Sequence, residues 1–582
     1  MSNHDELERL ASARAIMEQM RLRQGETTSS QEGTIQAHKD LVGSQSALKD
    51  QVIDQTGKKT VRRRDRLVAH EQLKISRSRG SMSHVDSESL YESGTTEQSD
   101  KKIRSHRMAS ADSYKQSASH NHPTLQILVW SALIALISSW NPLLTNLVSR
   151  IQSYTHYVSF AMSKGEIPYR SFFAPDGILY YELIKLEGTL GPVFIIGCEF
   201  IALVVSGYFF YRVVDRLGRD SRVSHSAIHW FYMFIWITIF GGANPYIFAL
   251  PLILAGLYFL VGLTQDQVRD EAALLVGVLA GVTLFIAPFA LIFWGVAYFF
   301  LFIRNLSKKQ YARSIYRLLI TFLGFLMVFN PINYYLLTKE TITYAYKQSF
   351  LTAFHFDFSL THCLWGVGIV GLSVVLSGFA SNAYRFFRVE KTSQERFYAF
   401  ISIVMLVISS SGIMLTPVFD RSQLSVMVPF GLLLYVLAKK ETSEKNVSYL
   451  RDSHYMPVAL VLLLVTYPIY HLFFQHSENQ ARERVATYIK ANSQEKDRIY
   501  VWDDRTAIYE SANRLSEVSH VTPIPYSPSD ATLVYELSDN KAAYIVVNKN
   551  VPKTAALEKI LTDCYNKQSV VIGNFELYQQ KG

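Results

Sequence analysis

The chain has 582 residues, of which 49% are hydrophobic, 13% aromatic and 18% charged, and its formal net charge is +9. Apolar residues concentrate after residue 123, whereas residues 1–123 contain only two aromatic residues, Tyr91 and Tyr114. This uneven distribution excludes a single soluble globular domain, and the composition excludes a collagen-like or wholly disordered chain. The three cysteines have no spacing typical of a disulfide framework or a zinc site.

Residues 1–123 are rich in Ser, Gln, Lys, Arg, Asp and Glu. Because they lack the apolar side chains that offset the loss of chain entropy, most of this tail is predicted to be disordered. Apolar residues recur at helical spacing in Glu6–Arg23, which predicts a short amphipathic helix that is either solvated or docks on a cytoplasmic partner or an anionic membrane. A basic block at 62–66 has no aromatic neighbours for base stacking, so nucleic acid is not an expected partner.

Between residues 124 and 475, apolar stretches recur at about the length that a helix needs to cross a bilayer. The sequence predicts eleven transmembrane helices. They are Leu125–Leu147, Leu190–Tyr211, His229–Gly242, Pro245–Leu263, Ala272–Ala287, Phe289–Ile303, Leu318–Leu336, Cys363–Phe379, Tyr398–Leu415, Leu424–Leu437 and Pro457–Phe474.

Charge asymmetry predicts the orientation of these spans. Lys and Arg collect in the connections after four of the five even-numbered spans, 212–222, 304–317, 385–396 and 439–451, whereas the connections after the odd-numbered spans contain few basic residues. The connection after the fourth span, 265–271, is weakly charged and gives no orientation. By the positive-inside rule, the even-side connections and the tail are cytoplasmic and residues 476–582 lie outside. The expected localisation is therefore the cell membrane, with many crossings and with the lipid bilayer as a partner.

Two connections on the predicted outer side are long. The first, 148–189, is amphipathic and rich in Tyr and Phe, and the second, 338–362, also carries aromatic residues. Aromatic, amphipathic segments lie along a membrane interface. We therefore predict an aromatic ledge on the outer face of the membrane.

Residues 476–582 have the composition of a soluble domain, in which predicted helices alternate with predicted strands. The helices are 478–491 and 555–566, and the strands are 498–502, 543–548 and 575–578. The predicted fold class is therefore mainly α: a polytopic membrane domain (124–475) that follows a disordered cytoplasmic tail (1–123) and precedes a small extracytoplasmic α/β domain (476–582). That last domain has no motif for phosphate binding or catalysis, so it is expected to cap or frame a membrane-facing site.

The segment from Gly165 to Tyr181 reads GEIPYRSFFAPDGILYY. It resembles the first outer loop of integral-membrane glycosyltransferases of the GT-C superfamily, which often read Gly-x-x-Pro-Tyr-Arg-Asp-Phe and then Gly-Pro-Leu-hydrophobic-Tyr. Residues 485–489, 497–502 and 544–549 are similar to the extracytoplasmic domains of bacterial members, of the protein-mannosyltransferase and aminoarabinose-transferase type. The resemblance covers about residues 124–582.

This resemblance implies transfer of a sugar from a polyprenyl-phosphate donor to a glycan or lipid acceptor of the cell envelope, on the outer face. In such inverting enzymes a carboxylate deprotonates or orients the acceptor hydroxyl, and cationic side chains neutralise the departing phosphate. No cofactor is expected. His355 and His362 flank Asp357, but the spacing and the lack of further ligands do not support a divalent cation site.

The chain lacks the acidic residues that the family has in its first outer loop. Ile151 and Gln152 occupy the positions of an acidic pair that follows the first span, and Ser171 stands where Asp usually follows Pro-Tyr-Arg. An amide or alkyl group cannot accept a proton near neutral pH. Either another carboxylate serves, or the chain does not catalyse transfer.

We consider Asp176 the first candidate for a substitute catalytic acid and Glu182 the second, with Glu166, Asp357 and Asp420 as further outer-loop acids. The alternatives are that Asp176 is a turn former bonded to nearby backbone and that Glu182 faces lipid headgroups or pairs with Lys185. Asp357 and Asp420 are alternatively ordinary loop charges. The candidate substrate-binding residues are Tyr169, Arg170, Tyr180 and Arg421. The rival interpretation of the two arginines is that they extend to the membrane interface without a ligand.

Three function classes remain open. The first is a membrane glycosyltransferase. The second is a catalytically inactive relative that acts as a scaffold or regulator of envelope assembly through its long cytoplasmic tail, which fits the missing acids. A transporter is less well supported, because transporters place polar groups inside their spans and few occur here.

Overall fold

The computed structural model describes residues 123–139, 150–218, 221–240, 242, 244–388, 392–416, 420–439, 448–524, 527–539 and 542–581. The predicted disordered tail, the helix predicted at Glu6–Arg23 and the end of the first predicted span lie outside these residues. The described part is mainly helical, with a small sheet near its C-terminal end.

The first nine helices run from the start of the described chain to residue 338. They are α1 (Thr124–Ser139), α2 (Arg150–Ser163), α3 (Ile178–Leu190), α4 (Pro192–Leu217), α5 (Ser221–Ile239), α6 (Pro245–Thr264), α7 (Ala272–Leu284), α8 (Leu291–Ser307) and α9 (Tyr311–Thr338). A 3₁₀ turn, Pro288–Ala290, precedes α8.

Shorter elements and two π-helices, Tyr346–Leu351 and Val367–Gly371, follow. The α-helices are α10 (Ile342–Ala345), α11 (Leu360–Gly366), α12 (Leu372–Leu376), α13 (Phe379–Phe387), α14 (Ser393–Leu415), α15 (Val428–Ala438), α16 (Tyr449–Asp452) and α17 (Met456–Phe474). A 3₁₀ helix, Arg421–Val426, leads into α15.

Each predicted span overlaps at least one of these helices, but the number of spans is not confirmed. In the described part of the chain, six helices are long and apolar enough to cross a membrane, and a seventh is added if Leu360–Leu376 and Phe379–Phe387, which are bent by 63°, form one span. The apolar helices Thr124–Ser138, Ala272–Leu284 and Met456–Thr466 are shorter. These lengths and compositions indicate a membrane protein.

Helices α7 and α9 pack with their backbones in close approach. A Cβ atom added to Gly277 would lie 2.0 Å from the carbonyl oxygen of Thr321, and one added to Gly324 would lie 2.1 Å from that of Leu274. The Thr321 hydroxyl also donates to the Ala273 carbonyl at 3.1 Å. Because backbone atoms cannot rotate away as side chains do, only glycine fits at these two crossing points.

We predict that Gly324→Ala destabilises the protein by about 1–3 kcal/mol, since the added methyl group forces the two helices apart. Gly295→Ala in α8 is the matched control, because nothing lies within 4 Å of a Cβ atom there, and alanine favours a helix over glycine. Thermal unfolding of the full chain in nanodiscs checks both variants. Equal melting temperatures for the two would contradict the close approach.

The C-terminal domain holds a four-stranded sheet in the order β1-β2-β4-β3, with β1 (Ile499–Trp502), β2 (Tyr544–Asn548), β3 (Tyr565–Ile572) and β4 (Phe575–Gln580). β1 pairs parallel with β2, and the other two pairings are antiparallel. Its helices are α18 (His476–Asn492), α19 (Ala507–Ala512), α20 (Asp530–Asp539) and α21 (Ala555–Cys564). Three strands match the prediction. The edge strand β3 was not predicted, since only one of its eight residues is buried and it lacks a continuous apolar run.

Helix α2 joins the membrane domain to the C-terminal domain. The Thr506 backbone amide donates to the Ser153 hydroxyl at 3.1 Å, and the Ser516 amide donates to the Tyr157 hydroxyl at 3.0 Å. The rings of Tyr157 and Tyr509 pack with centroids 5.0 Å apart. The prediction that the aromatic residues of the first outer loop lie along the membrane surface is therefore wrong for Tyr157. It is buried because the folded domain covers this helix.

Candidate active site

The loop between α2 and α3 is held in one shape by its own side chains and by Gln348. Tyr169 has a φ of 70°, in the left-handed region, and its hydroxyl donates to the Asp176 carbonyl at 2.8 Å. The Gln348 side chain donates to the Tyr169 carbonyl at 2.9 Å and accepts from the Ala174 amide at 2.8 Å. A Cβ atom at Gly177 would lie 2.1 Å from the Phe285 carbonyl. These contacts fix where Asp176 is placed.

A cavity of about 340 Å³ lies beside this loop. Five segments of the membrane domain and one region of the C-terminal domain surround it. Its lining residues are Phe173, Pro175, Asp176, Pro245, Tyr246, Pro288, Phe289, Thr352, Ala353, His355, Thr416, Asp420, Ser422, Gln423, His520 and Ser527. The cavity therefore brings two carboxylates and two imidazoles from distant parts of the sequence to one place.

Burial shifts the pKa of both carboxyl groups, and the charge of Asp420 also acts on Asp176. Burial raises the pKa of Asp176 to about 7, against a hydrogen bond from Tyr181 that lowers it, and the nearby Asp420 raises it further. Asp420 is buried, and burial raises its pKa as well, although the Ser422 hydroxyl and the charge of Arg421 oppose that shift. A carboxyl group with a pKa near 7 can accept and release a proton at neutral pH. The pair is thus suited to general acid–base chemistry.

The two imidazoles differ in their surroundings. His355 is exposed at one side of the cavity. His520 belongs to the C-terminal domain, and its ring stacks on Phe173 with centroids 4.8 Å apart. Burial lowers the pKa of His520, so its ring is neutral at neutral pH. Within the described residues, no group of three or more His, Cys, Asp or Glu side chains could hold a metal ion.

Residues 112–476 match the family model for the competence-induced protein Ccs4 N-terminal domain, and residues 479–581 match the model for the Ccs4 C-terminal domain. The chain belongs to the Ccs4 family. A comparison with curated proteins found no match.

Among solved structures, this Ccs4-family chain is similar to an oligosaccharyltransferase from the archaeon Archaeoglobus fulgidus. The apo form has a TM-score of 0.41 and 12% identity, and the alignment covers 74% of this chain and 70% of that one. The form with zinc and sulfate has a TM-score of 0.41 and 14% identity, with 78% and 73% covered. A TM-score of 0.41 is too low to establish a shared fold.

Of the acids proposed from sequence, Asp176 and Asp420 line the cavity of this Ccs4-family chain. Glu182 accepts a hydrogen bond from the Tyr335 hydroxyl at 2.6 Å. Tyr169 and Tyr180 are 3% and 1% exposed, so both side chains are buried. Their roles in substrate binding, and that of Glu182 in catalysis, stay predictions.

The two candidate arginines have protein partners. Arg170 is exposed and lies 3.6 Å from the Glu340 carboxylate. The Arg421 guanidinium donates to the Phe240 carbonyl at 2.7 Å and lies 5.4 Å from the centroid of the Phe240 ring. Neither side chain lines the cavity. Their proposed contact with a lipid phosphate stays a prediction.

Sequence reasoning gave too little weight to Asp420 and did not identify His520. The signal for Asp420 was a charged residue directly before Arg421 in an otherwise apolar region. His520 had no such signal, because only the docking of the C-terminal domain on the loop between α2 and α3 brings it to the cavity. The amide of Phe173 donates to the Ser519 carbonyl at 2.9 Å, which fixes that docking next to His520.

Proposed function

We propose that this Ccs4-family chain is a membrane glycosyltransferase that moves a sugar from a polyprenyl-phosphate donor to a glycan or lipid acceptor of the cell envelope. One observation carries the proposal. Asp176 and Asp420 line one cavity, where the first outer loop and the ends of apolar helices meet a soluble domain. The Pro-Tyr-Arg loop that resembles GT-C enzymes supplies one of these two acids.

The proposed reaction is a displacement at the anomeric carbon of the donor sugar. The acceptor oxygen forms a bond to that carbon, the bond from the carbon to the phosphate oxygen breaks, and polyprenyl phosphate leaves. The acceptor hydroxyl gives its proton to Asp176, whose pKa of about 7 suits a base at neutral pH. Arg170 and Arg421 are the proposed cationic groups for the leaving phosphate.

The proposed site lies at a membrane surface, because a lipid-linked sugar keeps its tail in the bilayer and its headgroup at the interface. We propose that eleven spans place the N-terminal tail in the cytoplasm and the C-terminal domain outside. The basic connections after the even-numbered spans support this orientation. On this proposal the cavity opens on the outer face, where the acceptor is found.

We predict that a cysteine at position 559, in α21, is labelled by a membrane-impermeant maleimide in intact cells. Lys559 is exposed on the C-terminal domain. The matched control is a cysteine at Lys308, which is also exposed and lies in the connection after the sixth predicted span. We expect position 308 to stay unlabelled until the cells are opened. The native cysteines are first replaced by serine. Labelling of position 308 but not 559 in intact cells would show the opposite orientation, in which the proposed site does not lie on the outer face.

Transfer itself is tested with the purified full chain in nanodiscs. Polyprenyl phosphates that carry a radiolabelled hexose or pentose are supplied with envelope glycan and lipid fractions, and labelled product is measured. Activity that requires Asp176 supports the proposal. If no donor gives product, and deletion of residues 1–110 abolishes the cellular function while Asp176→Asn does not, the chain is instead an inactive relative that acts through its tail.

A further inference from the structure

His520 is held from two sides. Its ring stacks on Phe173 of the first outer loop with an interplanar angle of 21°, and its Nδ1 atom lies 3.3 Å from the Ser519 hydroxyl oxygen. The stack fixes the plane of the ring, and the hydroxyl contact fixes its rotation within that plane. The other ring nitrogen, Nε2, is therefore the one available to the cavity that His520 lines.

Glu536 determines which ring nitrogen carries the proton. Its carboxylate accepts the Ser519 amide at 2.9 Å and the Ser519 hydroxyl at 2.5 Å. A hydroxyl group has one proton to donate. Because that proton goes to Glu536, the Ser519 oxygen can only accept from Nδ1. His520 is thus set as the Nδ1–H tautomer, with an unprotonated Nε2.

An unprotonated Nε2 is a hydrogen-bond acceptor for a hydroxyl group. Two carboxylates, Asp176 and Asp420, line the same cavity, so a molecule that fills it meets three acceptors of hydroxyl protons. Such a lining suits a polyhydroxylated ligand. One hydroxyl can face Asp176 for proton transfer while another is held by His520.

We propose that His520 is a specificity-determining residue that binds a second, non-reacting hydroxyl of a polyhydroxylated acceptor through Nε2. Ser519 and Glu536 are positioning residues that set its tautomer. The proposal rests on the proposed function and assigns its acceptor to the glycan class. The C-terminal domain then selects the acceptor, while the acids of the membrane domain carry the proton transfer.

The tautomer is tested without any transfer assay. The full chain is labelled with ring-¹⁵N histidine in nanodiscs, and His520→Phe assigns the His520 signals. We expect an Nδ1–H tautomer at pH 7.5 that becomes a mixture in Ser519→Ala. A saturable shift of the Nε2 resonance is expected with at least one of the methyl glycosides of glucose, galactose, mannose and N-acetylglucosamine. An Nε2–H tautomer, or no saturable shift with any of these probes, overturns the proposal.

Kinetics separate binding from chemistry. His520→Phe keeps the ring stacked on Phe173 but lacks an acceptor nitrogen, so we expect the KM for the acceptor to rise about 10-fold, with kcat changed by less than about 3-fold. His520→Gln offers an amide oxygen and should recover part of that loss. Unchanged acceptor KM in His520→Phe overturns the proposal. Absence of transfer by the native chain would instead refute the proposed function, while the tautomer and glycoside shifts still decide the role of His520.

Discussion

Replacing Asp176 with asparagine is expected to lower kcat by about 10²–10⁴-fold, because an amide cannot take the acceptor proton. The shape of the loop should survive, since the Asp176 contacts that fix it use its backbone carbonyl and amide. Transfer in nanodiscs measures the loss. Asp357→Asn is the matched control, because Asp357 is an acid of a connecting loop that does not line the cavity. Full activity of Asp176→Asn would show that another group is the base.

The pH dependence of transfer is a second test of the role of Asp176. A base works only when it is ionised, so kcat/KM should rise with pH and reach half its maximum at about 7, where Asp176 titrates. In Asp420→Asn a neighbouring negative charge is lost, which favours the ionised form of Asp176 and lowers its pKa. The midpoint should therefore move to lower pH, although burial keeps it above the ordinary value of an aspartate. A midpoint that does not move would mean that the two acids are not coupled.

The largest expected effect on stability lies in the C-terminal domain. Asp503, directly after β1, is 0% exposed and accepts a hydrogen bond from the Arg482 guanidinium at 2.6 Å and from the Asn548 amide at 2.7 Å. Arg482 is also buried, with Asp504 2.9 Å away. Asp503→Ala removes the main partner of the buried Arg482 guanidinium, so we expect the free energy of unfolding to fall by about 3–5 kcal/mol.

Hydrogen exchange of the amides of β1 and β2 in the full chain reports this loss, because those strands open with the domain. Glu495→Ala is the matched control. Glu495 pairs with Lys164 at 3.4 Å at the surface, where an ion pair contributes little. If these amides exchanged no faster in Asp503→Ala than in Glu495→Ala, the buried cluster would not stabilise the domain.

Much of this fold could be predicted from local patterns, and the site largely could not. Apolar length located the apolar helices, and short β-branched and aromatic runs located β1, β2 and β4. Both patterns depend only on residues that are neighbours in the chain, so a single sequence is enough to show them. Helices α2 and α3, in the predicted loop 148–189, and helices α19 and α20 were not predicted. β3 was missed because a solvent-facing edge strand needs no apolar run. The number of spans could not be predicted as well, because the length of an apolar stretch gives only an approximate test of whether a helix crosses the bilayer.

The cavity depends instead on contacts between distant segments. Asp176 was identified because its loop resembles a known motif. Asp420 shares the cavity with Asp176, and His520 stacks on Phe173, only because segments more than 200 positions apart meet. The contact of the Phe173 amide with the Ser519 carbonyl is one example. Arg421 was a reasonable candidate by charge, but its guanidinium donates to a backbone carbonyl at the end of α5, which no spacing rule reveals.

The bonds between α2 and the C-terminal domain have a practical consequence for fragments of this protein. A polypeptide beginning at residue 476 would keep the sheet but expose Tyr509 and the amides of Thr506 and Ser516 to water, since Tyr157 and Ser153 would be missing. It would also carry His520 without the ring of Phe173 against which it rests. Such an excised piece would be a poor substitute for the intact protein in any ligand screen, because most of the residues that line the cavity lie before residue 476 and would be missing.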